Sequence, residues 1–455
     1  MKPLDLHFIC QALNLPMPSE NQPVQRIVTD SRDIQSGDVF FALAGEHFDA
    51  HDFVGDVLER GAAAVVVSRE DCAWLEGALK VDDTLEALQT LAKAWRDNVD
   101  LFVFGVTGSS GKTTVKEMLA GVLRHQFGDE AVLATAGNFN NHIGLPLTLL
   151  KLNEQHRYAV IEMGMNHFGE LSLLTRIAQP DVALVNNALR AHVGCGFDGV
   201  GDIAKAKSEI YEGLASDGLA LIPCEDANID IFTAATGRLK TQTFGAESGD
   251  VHAENIVLKP LSCEFDLVCG GERAAVVLPV PGRHNVSNAC AAAALAHAAG
   301  LSLQQISDGL KHFSNIKGRL QIKQGIKGAT LIDDTYNANP DSMKAALDVL
   351  AVLPAPRVFV MGDMGELGED EAAAMHAEVG AYARDKGIEF AYFVGDDSVE
   401  AAETFGADGL WFAAKDPLIQ VMSHDLPPNA HVLVKGSRFM KMEEVVEALL
   451  NAEAV

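Results

Sequence analysis

The chain has 455 residues, more than one hydrophobic core normally supports, and its 48% apolar content is enough for several packed cores. Its 63 acidic residues outnumber the 35 basic ones and give a net charge of −28, which disfavours nucleic acid and anionic membranes as partners. Any anionic ligand must therefore be bound by locally placed cations.

The seven cysteines are scattered along the sequence and lack CxxC spacing, which predicts reduced thiols and a cytoplasmic location. The first segment, MKPLDLHFICQALNLPMP, lacks a continuous apolar region, and no run of about 18 apolar residues follows it. The sequence therefore predicts no membrane insertion.

Residues 1–82 mix short apolar segments such as AAAVVVS with the polar segment TDSRDIQSGDVFFALAGEHFDAHDF. This mixture is typical of a small α/β domain. A helix is predicted to begin at Asp83, because its carboxylate can cap the first turn and apolar side chains follow at helical spacing up to Trp95.

The segment FGVTGSSGKTT, residues 104–114, follows an apolar strand and precedes a segment with helical periodicity. The P-loop pattern would require glycine at Val106, yet the small residues, Lys112 and Thr113 are of the types that bind nucleotide phosphates and Mg²⁺. We predict a nucleotide-binding loop. The alternative, a glycine-rich turn without nucleotide, is disfavoured by the specific Gly-Lys-Thr-Thr sequence.

Further apolar strands, YAVIEMG, DVALVNN and LALIP, alternate with helical segments, as expected for parallel βαβ units. The segment SCEFDLVCGGERAAVVLPV then predicts a β-hairpin about Gly270-Gly271, before an Ala-rich helix at about 287–299. Residues 83–313 are therefore predicted to form the nucleotide-binding domain.

From residue 314 the alternation begins again with five strand–helix units, which start with ATLIDDTY, RVFVMGD, FAYFVG, GLWFAA and HVLVKGS. Such a series predicts a complete doubly wound domain. The predicted fold class is α/β with three domains: a small N-terminal α/β domain over 1–82, a central P-loop-type parallel-sheet ATPase domain with a hairpin region over 83–313, and a Rossmann-like domain over 314–455.

Three residues of the central domain are candidates for metal binding. Glu162 ends a strand at the sheet edge where the phosphate loop is expected, so its carboxylate can bind Mg²⁺; the alternative is a solvated carboxylate. His192 follows the next strand and can add a nitrogen ligand, although a loop histidine is more often a surface residue. Lys207 lies on a predicted helix, where a lysine is usually on a solvated face.

Two polar segments are unusual for ordinary packing. PGRHNVSNACAAAALA places Asn285 and Asn288 at a helix entrance, where their amides can hydrogen-bond a nucleotide base. IDDTYNANPDSM follows a strand of the next domain. Helix capping by Asn285 and Asp341 is the alternative explanation for part of each segment.

Single basic residues matter in so acidic a chain. Arg319 precedes the strand ATLIDDTY, and the late segment VKGSR contributes Lys435 and Arg438. Because a guanidinium can bind both oxygens of an anion at once, we predict that these residues bind phosphate or carboxylate.

Dispersed motifs resemble those of the Mur ligase family, the ATP-dependent amide ligases of peptidoglycan precursor synthesis, over the whole chain. The family's loop reads TGxxGK[ST], so the displaced glycine is a family trait. Relatives often have an acidic residue where this chain has Gly194. The matching segments are TGSSGKTT, TAGNFNNHIGLPLTLL, EMGMNHFGEL, NNALRAH, GDIAKAKSEIY, PGRHNVSNA, IDDTYNANPDSM and VMGDMGELG.

The resemblance implies an enzyme that joins D-alanyl-D-alanine to UDP-N-acetylmuramoyl-tripeptide through an acyl phosphate. ATP and two Mg²⁺ ions are the implied cofactors, and a cytoplasmic bacterial monomer is expected. The alternatives are a related ligase with another amino-acid substrate, such as folylpolyglutamate synthase, and a P-loop NTPase or nucleotide kinase that is not a ligase. The sequence leaves open the third residue of the tripeptide, diaminopimelate or lysine, and the base that deprotonates the incoming amine.

The resemblance also implies roles for matching positions. The catalytic residues are Lys112, Glu162, His192, Lys207 and Arg319. The metal ligands are Thr113, Glu162, His192 and a carbamylated Lys207. The ATP-binding residues are Gly108, Ser109, Ser110, Gly111, Lys112, Thr113, Thr114, Asn285, Asn288, Arg319, Asp334, Tyr336 and Asn337. The substrate-binding residues are Ser31, Arg32, Gly45, Asn138, Asn140, Asn141, Asn339, Lys435 and Arg438.

Overall fold

The computed structural model describes residues 3–191, 193–194, 196–314 and 316–450. Three sheets of four, nine and six strands follow one another along the chain, and helices connect their strands. This architecture agrees with the predicted α/β class. Within the described residues, no helix is both long enough and apolar enough to cross a bilayer.

By its internal contacts the chain divides into two compact units. The first comprises residues 1–106, 123–183 and 209–219, and the second comprises residues 107–122, 184–208 and 220–455. The phosphate loop belongs to the second unit together with the whole C-terminal part of the chain. The domain boundaries predicted after residues 82 and 313 remain a prediction.

The first sheet contains four short strands in sequential order, paired in parallel. Asp83 caps the helix that follows, since its carboxylate accepts from the backbone N–H groups of Leu85 and Glu86 at 2.7 and 2.9 Å. The elements are α1 (Leu6–Ala12), β1 (Ile27–Val28), β2 (Val39–Phe41), α2 (Val54–Glu59), β3 (Ala64–Val67), β4 (Ala78–Lys80) and α3 (Thr84–Asp97).

The second sheet places the strand that leads into the phosphate loop between two other strands. Its elements are β5 (Phe102–Thr107), α4 (Lys112–Phe127), β6 (Val132–Ala134), α5 (Gly144–Leu149), β7 (Tyr158–Glu162), α6 (Glu170–Ala178), β8 (Val182–Val185), α7 (Val200–Ser208), β9 (Leu219–Pro223), α8 (Ile229–Thr236), β10 (Lys240–Phe244), β11 (Val251–Leu258), β12 (Cys263–Cys269), β13 (Glu272–Leu278), α9 (Arg283–Ala298) and α10 (Leu303–Leu310).

The strand order is β13-β12-β11-β10-β9-β8-β5-β7-β6, with β5, β6 and β7 parallel. The predicted hairpin about Gly270-Gly271 is confirmed, because β12 and β13 pair in antiparallel fashion.

The Ala-rich helix begins earlier than predicted, at Arg283. Its first turn is polar, but the Asn285 amide donates to the Pro281 carbonyl at 2.7 Å, which supplies a local stabilising bond.

The third sheet has the order β14-β15-β19-β16-β17-β18 and contains the five predicted strands in parallel. A sixth strand, β14, was not predicted because QIKQ is a short, polar and only half-buried edge segment that pairs antiparallel to β15. The elements are β14 (Gln321–Gln324), β15 (Thr330–Asp334), α11 (Pro340–Ala351), β16 (Arg357–Gly362), α12 (Glu369–Asp385), β17 (Phe390–Val394), α13 (Ser398–Phe405), β18 (Gly409–Phe412), α14 (Lys415–Asp425), β19 (His431–Lys435) and α15 (Glu443–Ala448).

Close packing of α12 against α13 yields a test of this arrangement. A Cβ atom at Gly380 in α12 would lie 2.0 Å from the Ala401 carbonyl oxygen, whereas a Cβ at Gly121 in α4 would meet no atom within 4 Å. Gly380→Ala should lower the free energy of unfolding by about 1–3 kcal/mol. Gly121→Ala, the matched control, should raise it by up to about 1 kcal/mol through helix propensity. Urea denaturation measures both, and equal effects would contradict the helix packing.

Candidate active site

The phosphate loop runs from the end of β5 to the first residue of α4, Lys112. Gly111 has a φ of +79°, a conformation that side chains rarely adopt, and a Cβ there would lie 2.4 Å from Asn288 Oδ1. Glycine is therefore required at this position for two independent reasons. The Lys112 ammonium donates to the Gly108 carbonyl at 2.6 Å, which positions its charge over the loop.

The loop after β8 supports the phosphate loop. The Asn187 carbonyl accepts from the backbone N–H of Ser109 at 3.0 Å, and its side chain accepts from the N–H of Ser110 at 2.9 Å. The Asn186 amide donates to the Ser110 carbonyl at 2.9 Å. Sequence reasoning missed both asparagines, although the pair directly follows an apolar strand, where a polar residue reaches the carboxyl edge of the sheet.

The asparagines of α9 join the same hydrogen-bond network. Asn186 donates to Asn288 Oδ1 at 3.0 Å, and Asn288 donates to Asn285 Oδ1 at 3.1 Å. Asn285 and Asn288 are both buried. Helix capping does not explain Asn285, because its amide bonds the Pro281 carbonyl. Nor does Asp341 cap α11: Asn339 does so by accepting from the N–H of Ser342 at 2.8 Å.

Residues of the C-terminal segment contact the phosphate loop within the second unit. The Arg319 guanidinium donates to Thr113 Oγ1 at 2.9 Å and lies 4.3 Å from the centroid of the Tyr336 ring. Asn339 donates through its amide to Ser110 Oγ at 3.1 Å. These contacts bring a cation and an amide to the place where nucleotide phosphates are expected.

Lys207 lies on α7 and is only 2% exposed, so it is not on a solvated helix face. Burial, with a smaller contribution from the Lys112 ammonium, lowers the pKa of Lys207 well below its ordinary value. A buried lysine of this kind is favoured in its neutral form.

Lys435 and Asp334 form an ion pair near Asn337. The Lys435 ammonium donates to Asp334 Oδ2 at 2.6 Å and to the Asn337 carbonyl at 3.0 Å. Lys435 is buried, so this cation neutralises the carboxylate of Asp334. Arg438 instead pairs with Glu443 at 2.8 Å, and 63% of its side chain is exposed.

Glu162 belongs to the first unit and is only 2% exposed, which excludes the solvated-carboxylate alternative. The Asn140 amide donates to Glu162 Oε1 at 2.8 Å, so the structure brings these two predicted residues together. Asn141 accepts from the N–H of Gly144 at 2.8 Å and thereby fixes the turn before α5. Asn138 is exposed, and its carbonyl accepts from the N–H of Asn140 at 2.8 Å.

The predicted substrate-binding residues of the N-terminal region form hydrogen bonds with other residues of that region. Arg32 is 88% exposed and pairs with Asp30 at 2.6 Å, and these bonds lower the pKa of Asp30 to about 2. The Ser31 carbonyl accepts from Arg60 at 2.6 Å. The backbone N–H of Gly45 donates to the Phe48 carbonyl at 2.7 Å. No described contact joins Ser31, Arg32 and Gly45 to one another.

A cleft of about 520 Å³ opens beside the phosphate loop within the second unit. The supporting asparagines form one wall, and residues after β9 and at the start of α9 and α11 form the others. Its walls include Asn186 and Asn187, which bond the backbone of Ser110, and its size is suitable for the base or sugar of a nucleotide. The lining residues include Asn186, Asn187, Arg190, Glu225, Ser287 and Asp341.

The predicted metal ligands include two residues other than His, Cys, Asp and Glu, namely Thr113 and Lys207. Over the part of the chain that the structure describes, no group of three or more His, Cys, Asp or Glu side chains is arranged to bind a metal. The predicted set, which includes the Thr113 hydroxyl and Lys207, stays a prediction. His192, the remaining predicted ligand, lies outside the described residues.

Three family models match successive parts of the chain. The Mur ligase family catalytic domain matches residues 23–96, the Mur ligase middle domain matches 106–296, and the Mur ligase glutamate ligase domain matches 318–438. The chain belongs to the Mur ligase family. The family's three-domain α/β fold agrees with the sheets described above.

Individual Mur ligases are similar over nearly the whole chain. The UDP-N-acetylmuramoyl-tripeptide--D-alanyl-D-alanine ligase of Haemophilus influenzae is 43% identical over 94% of both chains. The enzyme of the same name from Escherichia coli is 41% identical over 98% of both chains.

Solved structures of Mur ligases share the fold. A crystal structure of MurF from Acinetobacter baumannii has a TM-score of 0.91 at 38% identity, covering 98% of both chains. MurF from Thermotoga maritima, solved in complex with ADP, has a TM-score of 0.83 at 26% identity and covers 93% of this chain and 97% of its own. Folylpolyglutamate synthase of Mycobacterium tuberculosis is similar in fold alone. It has a TM-score of 0.65 at 15% identity and covers 80% of this chain and 93% of its own.

Removing the Asn187 side chain tests its support of the phosphate loop. Asn187→Ala should raise the KM for ATP about tenfold, because the Ser110 N–H loses its partner and the loop loses its preorganised shape. Asn187→Asp retains the acceptor oxygen but loses the amide that donates to the Ser110 carbonyl at 3.1 Å and adds a negative charge beside the loop, so its KM for ATP should rise at least as much. Steady-state kinetics at varied ATP measures both, and a KM for Asn187→Ala within about twofold of the original would contradict the role.

Proposed function

We propose that the chain joins the terminal carboxylate of UDP-N-acetylmuramoyl-tripeptide to the amine of D-alanyl-D-alanine, with conversion of ATP to ADP and phosphate. Support comes from the names of relatives that are 43% and 41% identical over almost the full length. The observation that carries the proposal is the phosphate loop with Lys112, which Arg319 contacts at Thr113. This arrangement suits phosphoryl transfer from ATP.

A carboxylate is a poor electrophile, so the reaction requires activation before an amide can form. The tripeptide carboxylate attacks the γ-phosphate of ATP and gives an acyl phosphate and ADP. Lys112, the loop N–H groups and Arg319 stabilise the charge that develops on the transferred phosphoryl group. The amine of the dipeptide then attacks the acyl carbon, and phosphate leaves.

The proposed metal ligands are Thr113, Glu162, His192 and a carbamylated Lys207. Buried carboxylate and hydroxyl oxygens are suitable ligands for Mg²⁺, and Glu162 and Thr113 are both buried. The lowered pKa of Lys207 favours the neutral amine that adds carbon dioxide to become a carboxylate-like group. Two bound Mg²⁺ ions would neutralise charge on the phosphate oxygens during transfer.

The nucleotide is proposed to contact a set of residues around the phosphate loop. The cleft beside the loop and the buried amide network support a base or ribose site there. The Arg319 guanidinium would bind phosphate. The proposed ATP-binding residues are Gly108, Ser109, Ser110, Gly111, Lys112, Thr113, Thr114, Asn285, Asn288, Arg319, Asp334, Tyr336 and Asn337.

We propose that the UDP-linked tripeptide and the dipeptide contact the predicted substrate-binding residues. The exposed Arg32 guanidinium can bind phosphate or carboxylate, and the exposed Asn138 amide can bind a polar group of the peptide. We propose a cytoplasmic monomer in which closure over the nucleotide excludes water, because an acyl phosphate hydrolyses when wet. The proposed substrate-binding residues are Ser31, Arg32, Gly45, Asn138, Asn140, Asn141, Asn339, Lys435 and Arg438.

Phosphate release with each substrate alone and together tests the reaction. The assay contains ATP, Mg²⁺ and UDP-N-acetylmuramoyl-tripeptide, with and without D-alanyl-D-alanine, and mass spectrometry identifies the product. We expect rapid release only with both substrates, together with the UDP-linked pentapeptide. Release that is indifferent to the dipeptide, without pentapeptide, would refute the ligase function and leave an NTPase.

Arg319 provides a second test, because it contacts both the phosphate loop and the Tyr336 ring. Arg319→Ala should lower kcat by about tenfold or more through loss of a preorganised charge contact. The kcat of Arg319→Lys should be little higher than that of Arg319→Ala, since an ammonium lacks the planar group that stacks on the Tyr336 ring. Turnover of Arg319→Ala within about twofold of the original would show that closure onto Arg319 is not part of the mechanism.

A further inference from the structure

Arg190 lies in the loop after β8 and binds two carboxylates of the C-terminal segment. Its Nη2 and Nε atoms donate to Asp341 Oδ1 at 2.6 and 3.2 Å, and its backbone N–H donates to Asp341 Oδ2 at 3.1 Å. Its Nη1 atom donates to Glu378 Oε2 at 2.7 Å. One side chain thus joins α11 to α12.

Partial burial strengthens the electrostatic interactions among Arg190, Asp341 and Glu378. The side chains of Arg190, Asp341 and Glu378 are 29%, 26% and 36% exposed, so all three are partly shielded from water. Hydrogen bonds from Arg190, and then from Lys344, lower the pKa of Glu378 to about 2. Multidentate contact and partial burial distinguish this cluster from a solvated surface ion pair.

Asp341 is rigidly connected to a residue that contacts the phosphate loop. Asn339 caps α11 and donates to Ser110 Oγ at 3.1 Å, and Asp341 lies in the first turn of the same helix. The N-terminus of α11 is therefore fixed at two points, by Ser110 of the phosphate loop and by Arg190 of the loop after β8. Since Asn187 also supports Ser110, both contacts act on one nucleotide-binding structure.

A second contact joins the same loop to the C-terminal segment. The Gly368 N–H donates to the Val193 carbonyl at 2.9 Å. Gly194 has a φ of +80°, and a Cβ there would lie 2.5 Å from the Gly368 Cα. A side chain at this position would not fit unless the Gly368 backbone moved. The loop is therefore shaped for close backbone contact here, a finding independent of the charged cluster.

Arg190 and Asp341 also line the cleft beside the phosphate loop. If the guanidinium were absent, the Asp341 carboxylate would present negative charge to an anionic nucleotide in the cleft. Lys344 would still pair with Glu378, so the loss of Arg190 would affect the charge of Asp341 more than that of Glu378. Arg190 thus has an electrostatic effect as well as a geometric one.

We propose that Arg190 is a positioning residue for the ligase reaction, which fixes the N-terminus of α11 so that Asn339 contacts the phosphate loop, and which neutralises Asp341 at the nucleotide cleft. The proposal rests on the function proposed above. It concerns nucleotide binding and alignment rather than contact with the reacting atoms.

The central experiment replaces Arg190 by an uncharged side chain of similar length. Arg190→Met should raise the KM for ATP about tenfold and lower kcat, with a similar rise in the Kd for ADP measured by calorimetry. Arg176→Met is the matched control, because it removes a more exposed arginine that pairs with Glu212 at 2.8 Å. The control should bind ADP and turn over like the original protein. Arg190→Met with unchanged KM and Kd would overturn the proposal.

Two further variants separate positioning from loss of structure. Asp341→Asn added to Arg190→Met should cause no further loss, because the orphaned carboxylate is removed, whereas effects that multiply would overturn the proposal. Arg190→Lys retains a charge but reaches fewer oxygens, so its KM should be intermediate; a KM equal to the original would also overturn it. Calorimetry with ADP needs no turnover, so these outcomes are distinct from a failure of the original protein to make the pentapeptide, which would refute the ligase function.

Discussion

The structure depends on one constraint: backbone N–H groups at the start of α4 must approach an anion closely while the chain reverses direction. A side chain at Gly111 would collide with the asparagine network, so no side chain can fill this part of the loop. Its shape is instead maintained by the neighbouring loop after β8, whose asparagines bond the backbone of Ser109 and Ser110. The parallel sheet brings the two loops to one edge, which explains why this fold suits nucleotide chemistry.

A net charge of −28 makes the placement of each cation consequential. Near the phosphate loop the basic residues are matched to particular partners: Lys112 to a loop carbonyl, Lys435 to Asp334, and Arg190 to Asp341 and Glu378. Lys207 differs, because it is buried with a lowered pKa. Of the basic residues in this region, Lys112 and Arg319 contact the phosphate loop itself, whereas Lys435 and Arg190 are matched by carboxylates.

Local sequence patterns predicted the elements that depend on local physics. The apolar parallel strands, the Gly270-Gly271 hairpin and the Asp83 cap were all predictable, since strand periodicity, turn chemistry and capping act over a few residues. The short polar strand β14 was missed because its pairing with β15, not its composition, makes it a strand. The first turn of α9 was missed for a similar reason, as its polar residues gain their bonds only in the folded chain.

The candidate site was predicted less completely, because its decisive contacts join distant parts of the sequence. The resemblance located the loop and Arg319, yet it gave no sign that Arg190 would pair with Asp341, 151 residues away. Helical periodicity placed Lys207 on a helix but could not tell which face would be buried. The position of Asn186 and Asn187 directly after a strand places them at the carboxyl edge of the sheet, but nothing in the sequence shows that their amides contact the phosphate-loop backbone.

The backbone contact between Gly194 and Gly368 also limits how such enzymes can exchange parts during evolution. The two glycines lie in regions that separate family models match, 106–296 and 318–438, and these regions could otherwise be viewed as independent modules. A Cβ on Gly368 would lie 2.9 Å from the Gly194 Cα, so neither position tolerates a side chain while the other backbone stays in place. A chimera that joined the middle region of one relative to the last region of another would therefore need compatible residues at both positions. Recombination at this junction is constrained by shape, even where both modules fold.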